Sequence, residues 1–391
     1  RSSDLVLDSG RYQDAAISIQ SRDIVTPAVR GAITDIHGSP LVVDLPGLVV
    51  FADRSTLDKQ PDKGVSVLGR AANLFGLEYS DVYQRTRLCG ELPKDSRAGC
   101  WNGTRYQPIP LVGNANQDLA LKVLENSDSY LGIQLQTVPI RRYPSLEGEN
   151  VAHVLGYVGS VTDEDLKNPE VNYYRNEVVG KSGLEIQYNQ YLRGTPGVRT
   201  FLVNRKEVVT KEAKNFKAIA GNNLITNIDS KLQASAESAL ANAVNRARAS
   251  GFRGDSGAAI VMEIKTGRVL AMASYPTYDP AIWQRGLTVK QAKDLFSESK
   301  GVPALSRPIQ GLFAPASTFK SISVLAAANA GYSLNARYDC PAMVEIGTRT
   351  YRNFESKAAG RIPLDVGIAI SCDSLWYQIA YDEWVRDGGL R

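Results

Sequence analysis

The sequence has 391 residues, of which 43% are hydrophobic and 22% are charged. These fractions are typical of globular proteins and exclude a disordered or fibrous chain. Because one domain typically has ~150 residues, the length predicts two or three domains. The 45 Lys and Arg residues nearly balance the 41 Asp and Glu residues, for a net charge of +4. The sequence contains no run of basic residues with aromatic residues between them, which argues against a nucleic-acid partner.

Histidine and cysteine are scarce. His37 and His153 are the only histidines, so a three-histidine metal site is excluded. The four cysteines are too few for a disulfide scaffold and lack C-x-x-C spacing. Cys89 and Cys100 flank a short loop that contains Gly and Pro, where a disulfide and two free thiols explain the sequence about equally well.

Short apolar runs separated by turn residues dominate the first 220 residues. Runs at 41–43, 48–51, 133–138 and 151–158 predict strands, and long helical stripes are rare here. We therefore interpret residues 1–220 as an extended, β-rich domain. No run approaches the ~18 consecutive apolar residues of a transmembrane helix.

The pattern changes after residue 220, and residues 221–391 are predicted to form a second domain. Asp229 can cap a helix with an apolar stripe, which Gly251 would end. The runs 257–263 and 268–274 predict a β-hairpin whose turn contains Lys265-Thr-Gly267. Further apolar helical stretches follow at 317–330 and 374–385.

The sequence Ala314-Pro-Ala-Ser-Thr-Phe-Lys320 has the spacing of a serine nucleophile and a lysine base. In a helix, Ser317 and Lys320 would lie one turn apart on the same face, with Pro315 at the helix start. A lysine that loses its proton can activate a serine without any histidine. By itself this pairing is common, and a capping serine with a solvated lysine explains it more often than an active site does.

A second short motif, Ser371-Cys-Asp373, follows 54 residues after Ser317. Its hydroxyl and carboxylate could reach the same cleft, where they would relay a proton and orient the lysine through hydrogen bonds.

Together these motifs resemble the acylation motifs of penicillin-binding transpeptidases. The resemblance covers nearly the whole chain, because 30–38, 180–185 and 192–197 are similar to the family's early and pre-catalytic signatures. No acidic glycosyltransferase signature precedes the transpeptidase part, which indicates the monofunctional class B branch. Asp373 and the segment 376–381 are more similar to the elongation-type subgroup, penicillin-binding protein 2, than to the division type.

The resemblance implies an α+β multidomain fold: a β-rich N-terminal pedestal, then a transpeptidase domain with an antiparallel sheet flanked by helices. It implies that Ser317 is the acylated nucleophile and Lys320 its base. Ser371 would shuttle a proton to the leaving amine, Asp373 would hold the hydrogen-bond network, and the Ser317 N–H would form half of an oxyanion hole. Ala316 stands where the family usually has Gly, and we expect it to be tolerated if its φ is negative. No metal or organic cofactor is implied.

The family's third motif, Lys-Thr-Gly or Lys-Ser-Gly, follows the second one. We interpret Lys265-Thr-Gly267 as a hairpin turn instead and expect the transpeptidase domain to be cut short at its C-terminus. The resemblance also implies the extracytoplasmic side of a bacterial membrane, with an N-terminal anchor outside this chain. Expected partners are peptidoglycan stem peptides ending in D-Ala–D-Ala, β-lactams, and a membrane-embedded lipid II polymerase of the shape, elongation, division and sporulation class.

Other functions share these motifs. A β-lactamase or β-lactam sensor would also use Ser317 and Lys320, and a D,D-carboxypeptidase differs only in the acceptor. A non-catalytic scaffold that activates a polymerase is the alternative from another class. His153 is interpreted as structural, Arg30 and the other early cations as a solvated surface, and the sequon 102–104 as a loop.

Overall fold

A computed structural model describes residues 21–93, 96, 99–101, 107–174, 177–203, 209–285, 287 and 289–389. The chain separates into two compact units, of which one ends at Gly311 and the other begins at Leu312. Helices and strands are mixed along the chain, so the α+β fold class predicted from the sequence is confirmed. The units do not divide at residue 220, and the predicted domain boundary there stays a prediction. The sequon 102–104 lies outside the described residues.

The strands of the first unit are distributed along its described residues. In chain order they are β1 (Ser21–Thr26), β2 (Ile33–Thr34), β3 (Pro40–Ala52), β4 (Ile109–Val112), β5 (Ile133–Arg142), β6 (Val158–Ser160), β7 (Val178–Gly180), β8 (Gly197–Val203), β9 (Val209–Phe216), β10 (Leu224–Ile225), β11 (Gly257–Met262) and β12 (Val269–Tyr275).

Mostly short helices connect these strands. They are α1 (Arg54–Leu57), α2 (Val65–Phe75), α3 (Tyr79–Thr86), α4 (Gln117–Glu125), α5 (Ala152–Leu155), α6 (Gly183–Gln187), α7 (Asn189–Leu192), α8 (Ser230–Ala249), α9 (Val289–Leu295) and α10 (Arg307–Gln310). None of the helices in the described residues is long and apolar enough to cross a membrane.

The long strand β3 is the central strand of one sheet in this unit. It pairs antiparallel with β2, β4 and β5, while β10 adds to β2 in parallel. A separate antiparallel sheet contains β1, β8 and β9. The predicted strands 41–43 and 48–51 are therefore one continuous strand, and the predicted strand at 133 is the start of β5.

The ribbon of β3 and β5 links two hydrophobic clusters. Its register runs without a shift from Val43 to Ala52, and Pro46 lies opposite Pro139. One cluster contains Leu41 and Val42 near the start of β3, and the other contains Ala52 at its end. The ribbon therefore spans the distance between two separate cores.

Helix α8 and the hairpin β11–β12 match the prediction from the sequence. Asp229 caps α8 by accepting a hydrogen bond from the Leu232 N–H, and Gly251 after the helix has a left-handed φ of +82°. Deep in the contact, the fully buried Gln233 amide accepts from the Met272 N–H at 2.7 Å and donates to the Met272 carbonyl at 3.0 Å. This amide, rather than the apolar stripe alone, holds the hairpin on the helix.

The strand predicted at 151–158 is wrong. Residues 152–155 form α5, and only Val158 begins a strand. The Glu237 carboxylate accepts from the backbone N–H groups of Asn150 and Val151 at 2.7 and 3.0 Å, so it binds free N–H groups at the helix start. A short apolar run does not distinguish a buried helical turn from a strand, and the Glu237 contact comes from far along the chain.

Arg30 is a second correction, because it is buried and does not belong to a solvated surface. Its guanidinium contacts a Glu185 carboxylate oxygen at 2.6 Å and the Asn189 side-chain oxygen at 3.0 Å. Arg141 contacts the other Glu185 oxygen at 2.8 Å, and Glu185 itself is fully buried. A buried carboxylate needs such compensation, which explains why the cations lie inside. Signature residues from 30–38 and 180–185 thus meet in one place.

The second unit is small and contains the helices and hairpins around both acylation motifs. Its strands and helices are β13 (Tyr338–Cys340), β14 (Met343–Ile346), β15 (Arg349–Arg352), β16 (Gly360–Ile362), α11 (Lys320–Asn329), α12 (Leu364–Ala369) and α13 (Asp373–Arg386). β13 pairs with β16 and β14 pairs with β15, both antiparallel. Leu364, Leu375 and Ile379 form part of the core that α12 and α13 share.

Two disulfides cross-link the chain. Cys89 is bonded to Cys100, which resolves the alternative left open by the sequence, and Cys340 is bonded to Cys372. The sequence analysis did not anticipate the second bond. Cys372, one end of this bond, stands between Ser371 and Asp373 in the second motif.

Candidate active site

Ser317 lies in a short 3₁₀ helix, Ala316–Phe319, that leads directly into α11. Pro315 precedes this turn, and its ring restricts φ to a value compatible with a helix start. Residues i and i+3 of a 3₁₀ helix are eclipsed, so the Ser317 and Lys320 side chains leave the helix on the same face. The helix predicted from residue 317 is therefore a 3₁₀ turn at first and becomes α-helical at Lys320.

Ala316 has a φ of +48°, in the left-handed region. Tolerance of alanine was predicted on the condition of a negative φ, and this condition is not met. A side chain in this region costs about 1–2 kcal/mol relative to the right-handed conformation. The backbone directly before Ser317 is therefore strained, as residues beside reactive groups often are.

The Lys320 ammonium is held in a ring of oxygen atoms. The residue is only 7% exposed, and its Nζ donates to the Ser371 Oγ at 2.9 Å and to the Ser371 carbonyl at 3.1 Å. It also donates to Oδ1 of Asp373, with which it forms an ion pair. The solvated lysine that the motif alone would favour is not what the structure contains.

The Ser371 hydroxyl connects Ser317 to Lys320. Its Oγ lies 2.8 Å from the Ser317 Oγ, and either hydroxyl can be the donor in this contact. Since the same Ser371 oxygen accepts from Lys320, a continuous hydrogen-bond path runs from Ser317 through Ser371 to Lys320. Ser317 itself is exposed, so a substrate can approach its hydroxyl while the lysine stays covered.

Asp373 is the first residue of α13, where the helix dipole favours a negative charge. Its carboxylate side chain is about one-third exposed (31%), whereas that of Lys320 is nearly buried (9%). The buried cation therefore has a counter-charge at the edge of the site. The structure thus brings together all four residues singled out in the sequence: Ser317, Lys320, Ser371 and Asp373.

Two further positions near the motifs were missed by sequence reasoning. Cys372 carries the disulfide to β13, and the buried Asn353 hydrogen-bonds to the Ser374 N–H at the start of α13. An even cysteine count and the place of Cys372 inside a motif were available signals for the disulfide. Nothing in the sequence distinguishes Asn353 from other asparagines.

The remaining candidates lie in the first unit. The His153 Nε2 is 2.7 Å from the Pro303 carbonyl and therefore donates to it, and burial lowers the pKa of this histidine. The neutral, paired ring fits the structural interpretation. Lys265-Thr-Gly267 forms the turn between β11 and β12, with a φ of +75° at Gly267, as the hairpin prediction requires. In the described part of the chain, no group of three or more His, Cys, Asp or Glu residues could hold a metal ion.

Comparison with known proteins agrees with this geometry. The family model of the penicillin-binding protein dimerisation domain matches residues 25–226, and that of the penicillin-binding protein transpeptidase domain matches residues 257–386. The chain belongs to the class B penicillin-binding proteins. Relatives of the penicillin-binding protein 2 type are among its matches, and the resemblance stated from the motifs is confirmed.

Individual relatives support the same family. Peptidoglycan D,D-transpeptidase MrdA of Haemophilus influenzae is 27% identical over 403 residues, which cover 98% of this chain and 57% of the relative. A solved peptidoglycan synthase complex, described as coordinating polymerization and crosslinking, contains a chain that is 27% identical with a TM-score of 0.60; the match covers 97% of this chain and 60% of that one.

The fold is also similar to penicillin-binding protein 2 of Helicobacter pylori in its complex with MreC. That match has a TM-score of 0.67 at 22% identity and covers 92% of this chain and 62% of that one. The chain thus spans little more than half the length of the curated relative and of each solved chain.

Proposed function

We propose that the protein containing this chain is a peptidoglycan D,D-transpeptidase that works through a Ser317 acyl-enzyme. The observation that carries the proposal is the hydrogen-bond path from the Ser317 hydroxyl through Ser371 to the covered Lys320 amine. A hydroxyl connected in this way can lose its proton as it attacks a carbonyl, which is what serine acyl transfer requires. The names of the curated relatives support the same activity.

In the first half-reaction, Ser317 Oγ attacks the carbonyl of the D-Ala–D-Ala bond in a stem peptide. Lys320 takes part in this step as the neutral amine, and the Ser317 proton passes to that amine through Ser371. The C–N bond then breaks, Ser371 delivers the proton to the departing amine, and D-alanine leaves with an ester formed on Ser317. The Ser317 N–H, at the start of a helical turn, contributes to an oxyanion hole.

In the second half-reaction, the amine of a neighbouring strand attacks the ester carbonyl and forms the cross-link. The C–O bond to Ser317 breaks, and the proton that the attacking amine loses passes to the Ser317 oxygen. Asp373 keeps the Lys320 side chain in place by a hydrogen bond, which is an ion pair whenever Lys320 is protonated. β-Lactams resemble the donor peptide, so they acylate the same serine and leave a long-lived ester. No metal or organic cofactor takes part in these steps.

The wider organisation follows the same proposal. Residues 1–220 form an extracytoplasmic pedestal and residues 221–391 belong to the transpeptidase domain. The protein acts on the outer side of a bacterial membrane beside a lipid II polymerase. Support comes from the dimerisation-domain match and from the synthase complex with a similar chain.

The test is intact mass spectrometry of the full-length protein after incubation with penicillin, followed by peptide mapping. One adduct per molecule on the peptide containing Ser317, absent in Ser317→Ala, is expected. An adduct elsewhere, or one that persists in Ser317→Ala, would refute the assignment. The control Ser321→Ala changes a serine one turn further along the helix and should label normally.

Three outcomes would each indicate a different function. Repeated turnover of a chromogenic β-lactam indicates a β-lactamase. Trimmed but never cross-linked muropeptides indicate a carboxypeptidase. Complete complementation of a deletion by Ser317→Ala indicates a scaffold without catalysis.

A further inference from the structure

The turn that carries Ser371 has an unusual backbone. Ser371 has a φ of +56°, which a residue with a side chain rarely adopts. In this conformation its carbonyl and its hydroxyl oxygen both accept from the Lys320 amine. Such a conformation persists only where surrounding contacts over-determine it.

Asn353 supplies three of the contacts. It follows β15, is 9% exposed, and uses both kinds of hydrogen-bonding group on its amide. Its Nδ2 donates to the carbonyls of Pro341 and Lys357 at 2.7 and 2.8 Å, and its Oδ1 accepts from the Ser374 N–H at 2.8 Å. Because two carbonyls face one end and an N–H faces the other, the amide can have only this orientation.

Other bonds join the same segments. The fully buried Ser374 hydroxyl donates to the Pro341 carbonyl at 2.7 Å, and the disulfide ties Cys372 to Cys340. Residues 372 and 374 are thus both fastened to the segment 340–341. They flank Asp373, and residue 372 adjoins Ser371, so these bonds fix the chain around both functional side chains of the motif.

We propose that Asn353 is a positioning residue of the transpeptidase site, which keeps Ser371 and Asp373 in place on the Lys320 amine. The proposal rests on the proposed function, in which Ser317 is acylated with the help of these groups. Asn353 does not touch the nucleophile. It acts by holding the start of α13 against the end of β13, and small displacements of reacting groups have large effects on rate.

The experiment compares acylation of wild-type and Asn353→Ala full-length protein by a fluorescent penicillin, followed over time at several concentrations. These data separate the rate constant of acylation from the dissociation constant of the preceding complex. For Asn353→Ala, the acylation rate constant should fall about ten- to a hundredfold. The dissociation constant should stay within twofold.

A purely structural role would give a different result. Fewer molecules would be folded, so the labelled fraction would fall, but each folded molecule would react at the wild-type rate. Ile379→Val, which shortens a buried side chain further along α13, is the matched control. It should lower the thermal midpoint while leaving the acylation rate constant unchanged.

Ser374→Ala covers the case in which Asn353→Ala does not fold, because it removes one of these bonds and keeps the Ser374 N–H. It should slow acylation less than Asn353→Ala, but measurably. If wild type carries its adduct on Ser317 and both variants react at its rate, Asn353 is not a positioning residue. If wild type carries no adduct on Ser317, the proposed function fails, and this proposal fails with it.

Discussion

Removal of the Cys340–Cys372 disulfide should destabilise the second unit strongly. The bond joins residues 32 apart, and the loop-entropy relation for that separation gives about 3.7 kcal/mol. The double variant Cys340→Ala/Cys372→Ala removes the bond and two sulfur atoms of the core. Its effect should therefore combine the freedom that the unfolded chain regains with a smaller cost for the cavity left behind.

Hydrogen exchange of the full-length protein, followed peptide by peptide in increasing urea, measures this loss in the right part of the chain. Peptides covering β13 and α13 should lose protection at lower urea, while those from β3 and β5 should not. The bond between Cys89 and Cys100 has a separation of 11, so Cys89→Ala/Cys100→Ala should cost about 2.8 kcal/mol in the first unit only.

The reasoning is refuted if the Cys340–Cys372 variant loses less than about 1 kcal/mol, which is the size of an ordinary substitution. It is also refuted if both double variants weaken the same peptides, because then the bonds do not act locally.

Two further variants test corrections that the structure made. Arg30→Ala leaves the buried Glu185 without one of its partners and should lower the free energy of unfolding in urea by about 3 kcal/mol. Arg253→Ala removes a side chain that is 94% exposed and should leave it almost unchanged. Equal urea midpoints for the two variants would contradict the buried ion pair. Ala316→Gly relieves a positive φ, and the gain exceeds the cost of glycine's freer unfolded chain by about 0.5–1 kcal/mol, so the thermal midpoint should rise. Ala326→Gly inside α11 should lower the midpoint. A lower midpoint in both variants would contradict the strained turn.

Local sequence patterns predicted the parts of the fold that local interactions decide. The cap at Asp229, the stripe of α8 and the glycine after it lie within one segment, so their pattern was sufficient. The prediction for 151–158 was wrong because a short apolar run is compatible with a strand or with a buried helical turn, and the Glu237 contact at the start of that turn comes from far along the chain. The prediction for Arg30 was wrong because its buried partner, Glu185, is 155 residues away along the chain.

The candidate site shows the same division. The spacing of Ser317 and Lys320 gave their common face, and the second motif supplied Ser371 and Asp373. How these residues meet could not be derived from spacing, because tertiary contacts set the backbone at Ser371. The roles assigned to the four residues remain predictions until the acylation experiments are done.

The two prolines that lie opposite each other in the β3–β5 ribbon limit how other chains can pair with it. A β-ribbon whose outer edges face solvent can recruit strands from other molecules, because unpaired N–H groups are ready donors. Pro46 and Pro139 lie opposite each other and have no N–H to offer. Halfway along the ribbon, neither edge can therefore complete a ladder with an incoming chain, which protects this stretch of the pedestal against aggregation.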